Sequence, residues 1–221
     1  MKDRSTIAVI NQKGGVGKTT TVINLATSLS ILGQNILIID LDPQGNATTG
    51  LGKSNNDEES SIYNLLIKKI ELKHAIQKTD IKNLDIIGSN VNLSGLEVET
   101  ANDSNRAFLL KQILDNQQSS SLSKYDNIFI DCPPSLSLLT IMALVASNEI
   151  LVPLQTEFFA LEGITQLVKT IDRIKVNLNP NLKVRGILLT MFDKRNKLSA
   201  QVDKEARNYF KEKVYKTVIP R

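Results

Sequence analysis

Short apolar runs, most of them rich in β-branched residues, alternate along the chain with segments of helical character. The runs that predict strands are Thr6–Ile10, Ile36–Ile39, Leu84–Gly88, Ile128–Ile130, Glu149–Pro153 and Val184–Thr190. Nearly continuous apolar strands separated by helices are typical of a parallel sheet that is buried on both faces. We therefore predict an α/β fold in which a mostly parallel sheet carries helices on both faces.

Three longer segments have the residue pattern of helices: Lys18–Leu32, Leu161–Leu178 and Ser199–Phe210. Gly33 follows the first of them as a C-terminal stop signal. Two polar stretches, Lys53–Ser60 and Asp115–Ser121, predict surface loops, and both are too short to be domain linkers. The 221 residues are therefore expected to form one domain, spanning 1–221.

The composition is that of an ordinary soluble globular protein, with 41% hydrophobic and 23% charged residues. No apolar run approaches the roughly 20 residues that span a bilayer. The N-terminus lacks the apolar core and the cleavage site of a signal peptide. We therefore expect a cytoplasmic protein with no membrane partner. The single cysteine, Cys132, cannot form an internal disulfide and cannot by itself hold a metal cluster.

Charge is distributed unevenly along the chain. Residues 1–160 contain 13 lysines and arginines against 17 acidic residues, whereas residues 161–221 contain 14 against 6. A basic final quarter indicates a polyanionic partner, such as nucleic acid or an anionic membrane surface. The alternative is a set of solvated lysines on surface helices.

A glycine-rich segment lies between the first predicted strand and the first predicted helix. Its residues are Lys13, Gly14, Gly15, Val16, Gly17, Lys18, Thr19 and Thr20. Glycines let the backbone turn tightly so that successive N–H groups face phosphate oxygens, and the helix adds the positive end of its dipole. The position of Lys18 suits contact with the β- and γ-phosphates, and that of Thr19 suits Mg²⁺. This segment predicts a P-loop NTPase architecture that binds ATP with Mg²⁺.

Two positions depart from the usual P-loop pattern. Gln12 stands where the first glycine of the pattern belongs, and Lys13 adds a second cation close to Lys18. Two ammonium groups this close repel each other unless a dense anion lies between them. We therefore expect Lys13 to contact phosphates, including those held by a second subunit, and the alternative is a solvated loop lysine.

Aspartates follow two of the predicted strands, at the edge where open α/β sheets bind ligands. Asp131 is predicted to hold Mg²⁺ through water. Asp42 lies just past its strand in a Pro/Gly loop and is the better candidate to position an attacking water, while Asp40 supports Mg²⁺ or its waters. The alternative for both Asp40 and Asp42 is a turn-forming role without chemistry. Cys132 is expected to be a small buried residue rather than a nucleophile.

Five segments together resemble the ParA/MinD family of deviant Walker ATPases. They are Lys13–Thr20, Asp40–Asn46, Ile130–Ser135, Leu189–Asp193 and Val214–Arg221. The runs Asp-Leu-Asp-Pro-Gln-Gly-Asn-Ala-Thr and Asp-Cys-Pro-Pro-Ser are most similar to the ParA/Soj branch, which partitions chromosomes and plasmids. The resemblance extends over essentially the whole chain.

The resemblance implies an ATPase that forms an ATP-dependent sandwich homodimer. Lys13 would be the signature lysine that reaches the partner's phosphates, acting with Lys18 and the catalytic aspartate Asp42, and Pro220 would contact the base. Such dimers bind DNA without sequence preference and are nucleoid-associated, and a ParB-type partner protein stimulates hydrolysis and releases them.

The basic region 161–221 fits that DNA-binding role. Its candidate phosphate contacts are Arg195, Lys197, Arg207 and Arg221. Contacts of this kind would make the affinity for DNA fall steeply with salt. Each of the four is equally compatible with a solvated surface side chain.

Two alternatives to a partitioning ATPase remain open at this point. Relatives continue past the segment that matches Ile219–Arg221, so some adenine contacts and DNA-binding arginines are expected to be missing, and the chain would then be a truncated nucleotide-binding module without turnover. The other alternative is a MinD-like membrane-associated ATPase, which needs a C-terminal amphipathic helix. The segment Glu212–Arg221 does not have that pattern.

Overall fold

A computed structural model describes residues 4–56, 59–116, 120–157 and 160–221. Seven strands form one sheet: β1 Ser5–Val9, β2 Ile36–Asp40, β3 Ile76–Lys78, β4 Leu84–Ile87, β5 Asn127–Asp131, β6 Glu149–Gln155 and β7 Lys183–Thr190. Their order across the sheet is β3-β4-β2-β5-β1-β6-β7. All neighbours pair in parallel except β3, which runs antiparallel to β4 at one edge. The other six strands therefore point in the same direction, and their carboxyl ends lie together along one edge of the sheet.

Helices connect the strands on both sides of the sheet. They are α1 Lys18–Ile31, α2 Asn46–Gly50, α3 Ile62–Leu66, α4 Leu72–Ala75, α5 Leu96–Glu99, α6 Leu109–Asp115, α7 Leu138–Ala146, α8 Ala160–Asn177 and α9 Lys197–Phe210. Short 3-10 turns cover 91–95, 106–108, 120–122 and 211–213. Glycines with positive φ lie just outside both ends of α1. Gly17, with φ 88°, directly precedes the helix, and Gly33, with φ 89°, follows it; a β-carbon would disfavour such a backbone conformation.

Alternate residues of each central strand face opposite sides of the sheet. In β2, Leu37 and Ile39 pack into the larger hydrophobic cluster, with α6, α7 and α8, whereas Ile36 and Ile38 pack into a second cluster with α1. All four side chains are completely buried. Two packed faces explain why these strands are continuous apolar runs rather than alternating ones.

The sequence-based fold is confirmed. The six predicted strands and the three predicted helices are present, with ends that shift by one or two residues. Strand β3 was missed, because Ile76–Lys78 is only three residues long and half-exposed. Helix α7 was missed because its sequence, Leu138–Ala146, is apolar on all sides and lacks a 3.6-residue period.

The described residues of the first predicted loop, 53–56 and 59–60, contain no helix or strand, and positions 57–58 lie outside the described residues. The second predicted loop is irregular only in part. Within 115–121, positions 117–119 lie outside the described residues, Asp115 ends α6, and a 3-10 turn starts at 120. The single-domain assignment over 1–221 stays a prediction.

The C-terminal segment, residues 214–221, runs parallel to β7 and covers much of its outer edge. Its hydrogen bonds link the Tyr215 N–H to the Ile187 carbonyl at 2.9 Å and the Ile219 N–H to the Leu189 carbonyl at 2.8 Å. Isolated bridges join Ile187 to Val214 and Phe192 to Pro220. The segment thus carries Pro220 to the edge of the sheet at which the parallel strands end.

Candidate functional site

The glycine-rich loop occupies the turn between β1 and α1, as predicted. Asn11 supports its first half, because its side chain accepts a hydrogen bond from the Lys13 N–H at 3.0 Å and donates one to the Pro153 carbonyl at 2.7 Å. Gly15 has φ 74°, a conformation that L side chains rarely adopt. The loop is therefore shaped by its glycines and fastened to the end of β6 by a buried amide.

Lys18 lies inside this loop. Its ammonium donates to the Lys13 carbonyl at 3.0 Å, and the residue is only 7% exposed. Burial lowers the pKa of Lys18, while the nearby charge of Asp131 opposes that shift. The cation is thus already folded into the loop, where phosphate oxygens can replace the carbonyl as its partner.

Two further residues shape the loop from outside. The hydroxyl of Thr190, at the end of β7, donates to the Val16 carbonyl at 2.9 Å, and the Thr190 methyl lies near Gly17. Gly14 faces Pro134, which follows β5. Thr190 was missed as a site residue, although its place at the carboxyl end of a predicted strand was a usable signal.

The two threonines that begin α1 differ in their surroundings. Thr19 is half-buried and close enough to Asp131 for its hydroxyl to lower the pKa of that carboxyl. Thr20 is exposed, and its backbone carbonyl accepts a hydrogen bond from the Asn24 amide at 2.8 Å. Thr19 therefore faces the strand-end carboxylates, whereas Thr20 faces outward.

The register of the sheet brings two of the predicted aspartates together. Asp131 of β5 pairs with Val9 of β1 on one side and with Asp40 of β2 on the other. Both carboxylates therefore leave neighbouring strands at the same level, directly beside the start of the glycine-rich loop.

Asp131 is completely buried, and neither of its carboxylate oxygens accepts a hydrogen bond of normal geometry from a described residue. Burial, aided by the negative charge of Asp40, raises its pKa to about 7. Two orphaned buried carboxylate oxygens beside the Thr19 hydroxyl are a hard-oxygen environment of the kind that Mg²⁺ prefers. The side chains therefore fit the predicted metal.

Asp40 is also completely buried, but its oxygens are in use. One accepts from the Asp42 N–H at 3.2 Å, and the other accepts from the Thr48 N–H at 2.8 Å and the Thr48 hydroxyl at 2.7 Å. Burial raises its pKa to about 6, against the effect of the Thr48 hydrogen bonds. Asp40 is therefore a less suitable direct metal ligand than Asp131, and it fastens the loop that follows β2.

Asp42 lies in this loop and is 7% exposed. Its carboxylate accepts from the Gln44 N–H at 3.0 Å, and its carbonyl accepts from the Gly45 N–H at 2.9 Å. Such a turn fixes the carboxylate relative to the end of β2. The charge of Asp42 also raises the pKa of Asp131, which places the two carboxylates within electrostatic reach of each other.

Lys13 lies on the outer side of the loop, with 53% of its side chain exposed. Its ammonium forms an ion pair with Glu157, which follows β6. Glu157 is a site residue that the sequence pattern does not predict. The two lysines of the loop thus point to different surroundings, since Lys18 is enclosed and Lys13 is open to solvent.

The four predicted DNA contacts do not form one cluster. Arg195 lowers the pKa of Asp193 through its hydrogen bonds to that carboxylate, and the nearby charge of Arg221 adds to the same effect. Lys197 is exposed at the start of α9. Arg207 lies ten residues further along α9, where it binds the Asp203 carboxylate at 2.7 Å and the Tyr215 carbonyl at 3.2 Å.

Within the described ranges, no three His, Cys, Asp or Glu side chains form a group that would hold a metal ion by themselves. In the same part of the chain, no helix has both the length and the apolar character needed to cross a bilayer.

The fold and this site define the class of protein. A glycine-rich phosphate loop with a buried lysine, next to a strand-end aspartate on a mostly parallel sheet, is the arrangement of a P-loop ATPase. The model of the AAA domain family matches residues 4–184.

Curated relatives define the family more closely. The chromosome partitioning protein ParA of Caulobacter vibrioides is 46% identical over 215 residues, which are 97% of this chain and 80% of that protein. The sporulation initiation inhibitor protein Soj of Bacillus subtilis is 46% identical over 215 residues, which are 97% and 83% of the two chains. The chain belongs to the ParA/Soj family of ATPases.

Two solved structures are similar to this chain, and one of them contains a nucleotide with magnesium. Cobyrinic acid a,c-diamide synthase from Mycobacterium smegmatis, with bound ATP analogue and magnesium, matches 99% of this chain and 88% of its own with a TM-score of 0.91 and 35% identity. A plasmid partition protein from Borrelia burgdorferi matches 100% and 91% with a TM-score of 0.84 and 29% identity. These neighbours carry different named activities, so the biological role must be argued from the site and not from the fold.

Proposed function

We propose that this protein is the Mg-ATP-dependent ATPase of a DNA-partitioning system, and that its ATP-bound homodimer binds DNA without sequence preference. The observation that carries this proposal is the meeting of the phosphate loop with Asp42 and Asp131 at one sheet edge, with a second lysine, Lys13, on its open side. The identity to ParA and Soj supports the same role.

The loop backbone and Lys18 would hold the phosphates of ATP, and Pro220 would contact the base. Mg²⁺ would lie near Thr19 and Asp131, and Asp40 would support it only from behind, because its oxygens already accept three hydrogen bonds. When bound, the ion supplies positive charge to the β- and γ-phosphates. Its charge would also favour the ionised form of Asp131 and so offset the cost of burying that carboxylate.

Asp42 is the residue that we assign to positioning the attacking water. It is held in a turn directly past the strand end, while its carboxylate stays close enough to influence Asp131. A carboxylate in this position can accept a hydrogen bond from water and align it for attack, which is the main task of a protein in phosphoryl transfer.

The proposal that the protein forms a dimer rests on Lys13. Its ammonium is more than half exposed and bound only to Glu157 among the described residues, so it is available to exchange that partner for a phosphate oxygen. A phosphate held by a second subunit is the proposed new partner. The Lys13–Glu157 pair would then exist only in the subunit that has not dimerised. Exposed pairs of this type contribute about 1 kcal/mol or less, so exchange is inexpensive.

DNA binding rests on the basic final quarter of the chain. We propose that Arg195, Lys197 and Arg221 contact DNA phosphates. Arg195 and Lys197 are close in the sequence, and Arg195 and Arg221 both lie near Asp193. Arg207 is the weakest of the four candidates, because its side chain is 34% exposed and bonded to Asp203 and Tyr215, whereas that of Arg195 is 91% exposed although it also pairs with an aspartate. A ParB-type partner that stimulates hydrolysis and a nucleoid-associated location complete the proposal.

A salt titration of DNA binding by the ATP-loaded protein tests this role. We expect binding only with ATP and Mg²⁺, equal affinities for unrelated duplexes, and a steep loss of affinity as salt rises. A parallel titration with anionic vesicles distinguishes the membrane alternative. A flat response to DNA together with vesicle binding would overturn the proposal.

A further inference from the structure

The segment that follows β2 returns to the strand it has just left. It runs from Asp42 through Gly45 into α2, and the third residue of α2 is Thr48. Thr48 is polar but completely buried. Its N–H and hydroxyl both donate to one oxygen of Asp40, at 2.8 and 2.7 Å.

The hydroxyl of Thr48 has a second task. Its oxygen accepts a hydrogen bond at 2.9 Å from the N–H of Ser89, which follows β4. One buried hydroxyl therefore joins the end of β2 to the end of β4. Removing it would leave the Ser89 N–H and part of the Asp40 carboxylate without a partner inside the protein, which is costly for buried polar groups.

The other oxygen of Asp40 accepts from the Asp42 N–H at 3.2 Å. The loop from Asp42 to Thr48 is thus held at both ends by the same carboxylate. The loop is also packed closely, since a β-carbon added to Gly45 would lie 3.2 Å from the Ser89 carbonyl.

We propose that Thr48 is a positioning residue for ATP hydrolysis, which holds Asp40 and thereby fixes the loop that carries Asp42. This inference rests on the role assigned to Asp42 above. Thr48 itself is completely buried, and its side chain bonds to Asp40 and Ser89. It acts by keeping the Asp42 carboxylate in line with the attacking water, where small displacements are expensive.

Two neighbouring threonines provide a matched test. Thr48→Val removes the hydroxyl while keeping the shape of the side chain. Thr49→Val makes the same change one residue later, at an exposed position where, among the described residues, the hydroxyl donates only to the carbonyls of Gly45 at 3.2 Å and Asn46 at 3.4 Å. Both variants are compared with the wild-type protein in steady-state ATP hydrolysis and in equilibrium binding of a non-hydrolysable ATP analogue.

We expect Thr48→Val to lower kcat by about 10–100-fold, the usual cost of losing such a supporting hydrogen bond. The KM for ATP and the Kd of the analogue should stay within about twofold, because the phosphate loop is untouched. Thr49→Val should match the wild type, and Thr48→Ser should restore most of kcat since it keeps the hydroxyl. A Thr48→Val protein with wild-type kcat would overturn the inference, and so would a parallel loss of kcat and analogue binding.

Gly88→Ala perturbs the same residue while leaving all of its hydrogen-bonding atoms in place. The added β-carbon would lie 3.0 Å from the Thr48 methyl, which must then move by a few tenths of an ångström. We expect a lower kcat with unchanged analogue binding, and an unchanged kcat would count against Thr48 even if Thr48→Val does not fold.

The proposed function and this inference fail in different ways. Wild-type hydrolysis that Asp42→Ala leaves intact would contradict the role of Asp42. Hydrolysis that depends on Asp42 but not on Thr48 would contradict only this inference.

Discussion

The two lysines of the phosphate loop have the same chemistry and different surroundings. Lys18 is buried with its ammonium on a loop carbonyl, whereas Lys13 is exposed and paired with Glu157. The inner cation can therefore contribute to binding in a single subunit, and the outer one is available to a partner.

Lys18→Ala should abolish ATP binding. It removes the one cation that the loop encloses, and charge-assisted hydrogen bonds to phosphate are among the strongest that proteins form. Titration with a fluorescent ATP analogue measures the effect. Lys13→Ala is the matched control, and it should bind the analogue within about threefold of the wild type because an exposed ammonium adds little to binding in one subunit. Normal analogue affinity in the Lys18 variant would show that the site is misassigned.

Asp131 makes the stability of the nucleotide-free protein depend on pH. Its native pKa of about 7 exceeds the ordinary value of 3.8, so the folded state binds the proton more tightly than the unfolded state. The associated stability is present below pH 3.8 and is lost as the pH rises through 7.

Asp131→Asn should therefore raise the Tm of the nucleotide-free protein at pH 8 by several degrees, since it removes a buried charge and 1 kcal/mol corresponds to about 2–4 °C in a domain of this size. The difference from the wild type should shrink at pH 5, where the native carboxyl is mostly protonated. Thermal unfolding at both pH values measures it. A lower Tm of the variant at pH 8 would contradict this explanation of the pH dependence. The same variant should also lose Mg²⁺-dependent ATP affinity.

At the scale of elements, the C-terminal segment depends on a glycine in β7. The ring of Tyr215 lies directly over Gly186, in the space that a β-carbon would occupy. Two backbone hydrogen bonds, from Tyr215 and Ile219, keep the segment on the strand. The absence of a side chain at Gly186 therefore allows the segment to carry Pro220 to the edge of the sheet at which the parallel strands end.

Gly186→Ala should displace Tyr215 and lower the free energy of unfolding by about 1–3 kcal/mol, as overpacking usually does. Urea unfolding measures the loss. Most of it should disappear in a Tyr215→Ala background, because the clash is then absent. Gly163→Ala is a control of opposite sign, since nothing lies within 4 Å of its added β-carbon and alanine favours the helix. An additive double variant would show that Tyr215 is not the obstacle.

At the scale of the whole molecule, the proposed function uses two chains to complete the site. Lys13 lies on its open side, and the positive charge is concentrated in residues 161–221. Dimerisation would bring two such basic regions into one particle and would double the number of phosphate contacts. Affinity for DNA would then follow the nucleotide state, because only the dimer presents both regions.

Asp42→Ala should retain ATP and accumulate dimers, since the variant keeps the phosphate loop and loses the residue that positions water. Light scattering during size-exclusion chromatography with ATP and Mg²⁺ measures the population. Adding Lys13→Ala should return the protein to monomers, because the contact across the interface is lost. Normal hydrolysis by Asp42→Ala would mean that another residue positions the water.

The sequence predicted the strands and long helices because each is a local pattern of apolar positions, and it predicted the phosphate loop because glycine spacing directly sets the backbone. It could not predict α2, α3 or β3, which are too short to show a period and form only because they pack against the sheet. The functions of Asp40 and Asp131 looked alike in the sequence, since both follow apolar runs. Only their hydrogen bonds separate them.

Local sequence therefore determined the fold class, the loop that holds phosphate and the strand ends that carry its aspartates. Tertiary structure decided that Thr48 donates two hydrogen bonds to one oxygen of Asp40, that the Thr190 hydroxyl donates to the phosphate loop, and that Glu157 pairs with Lys13. These contacts join residues from 8 to 174 positions apart in the chain. Hydrogen bonds between such residues depend on how the chain folds back, which no local pattern specifies.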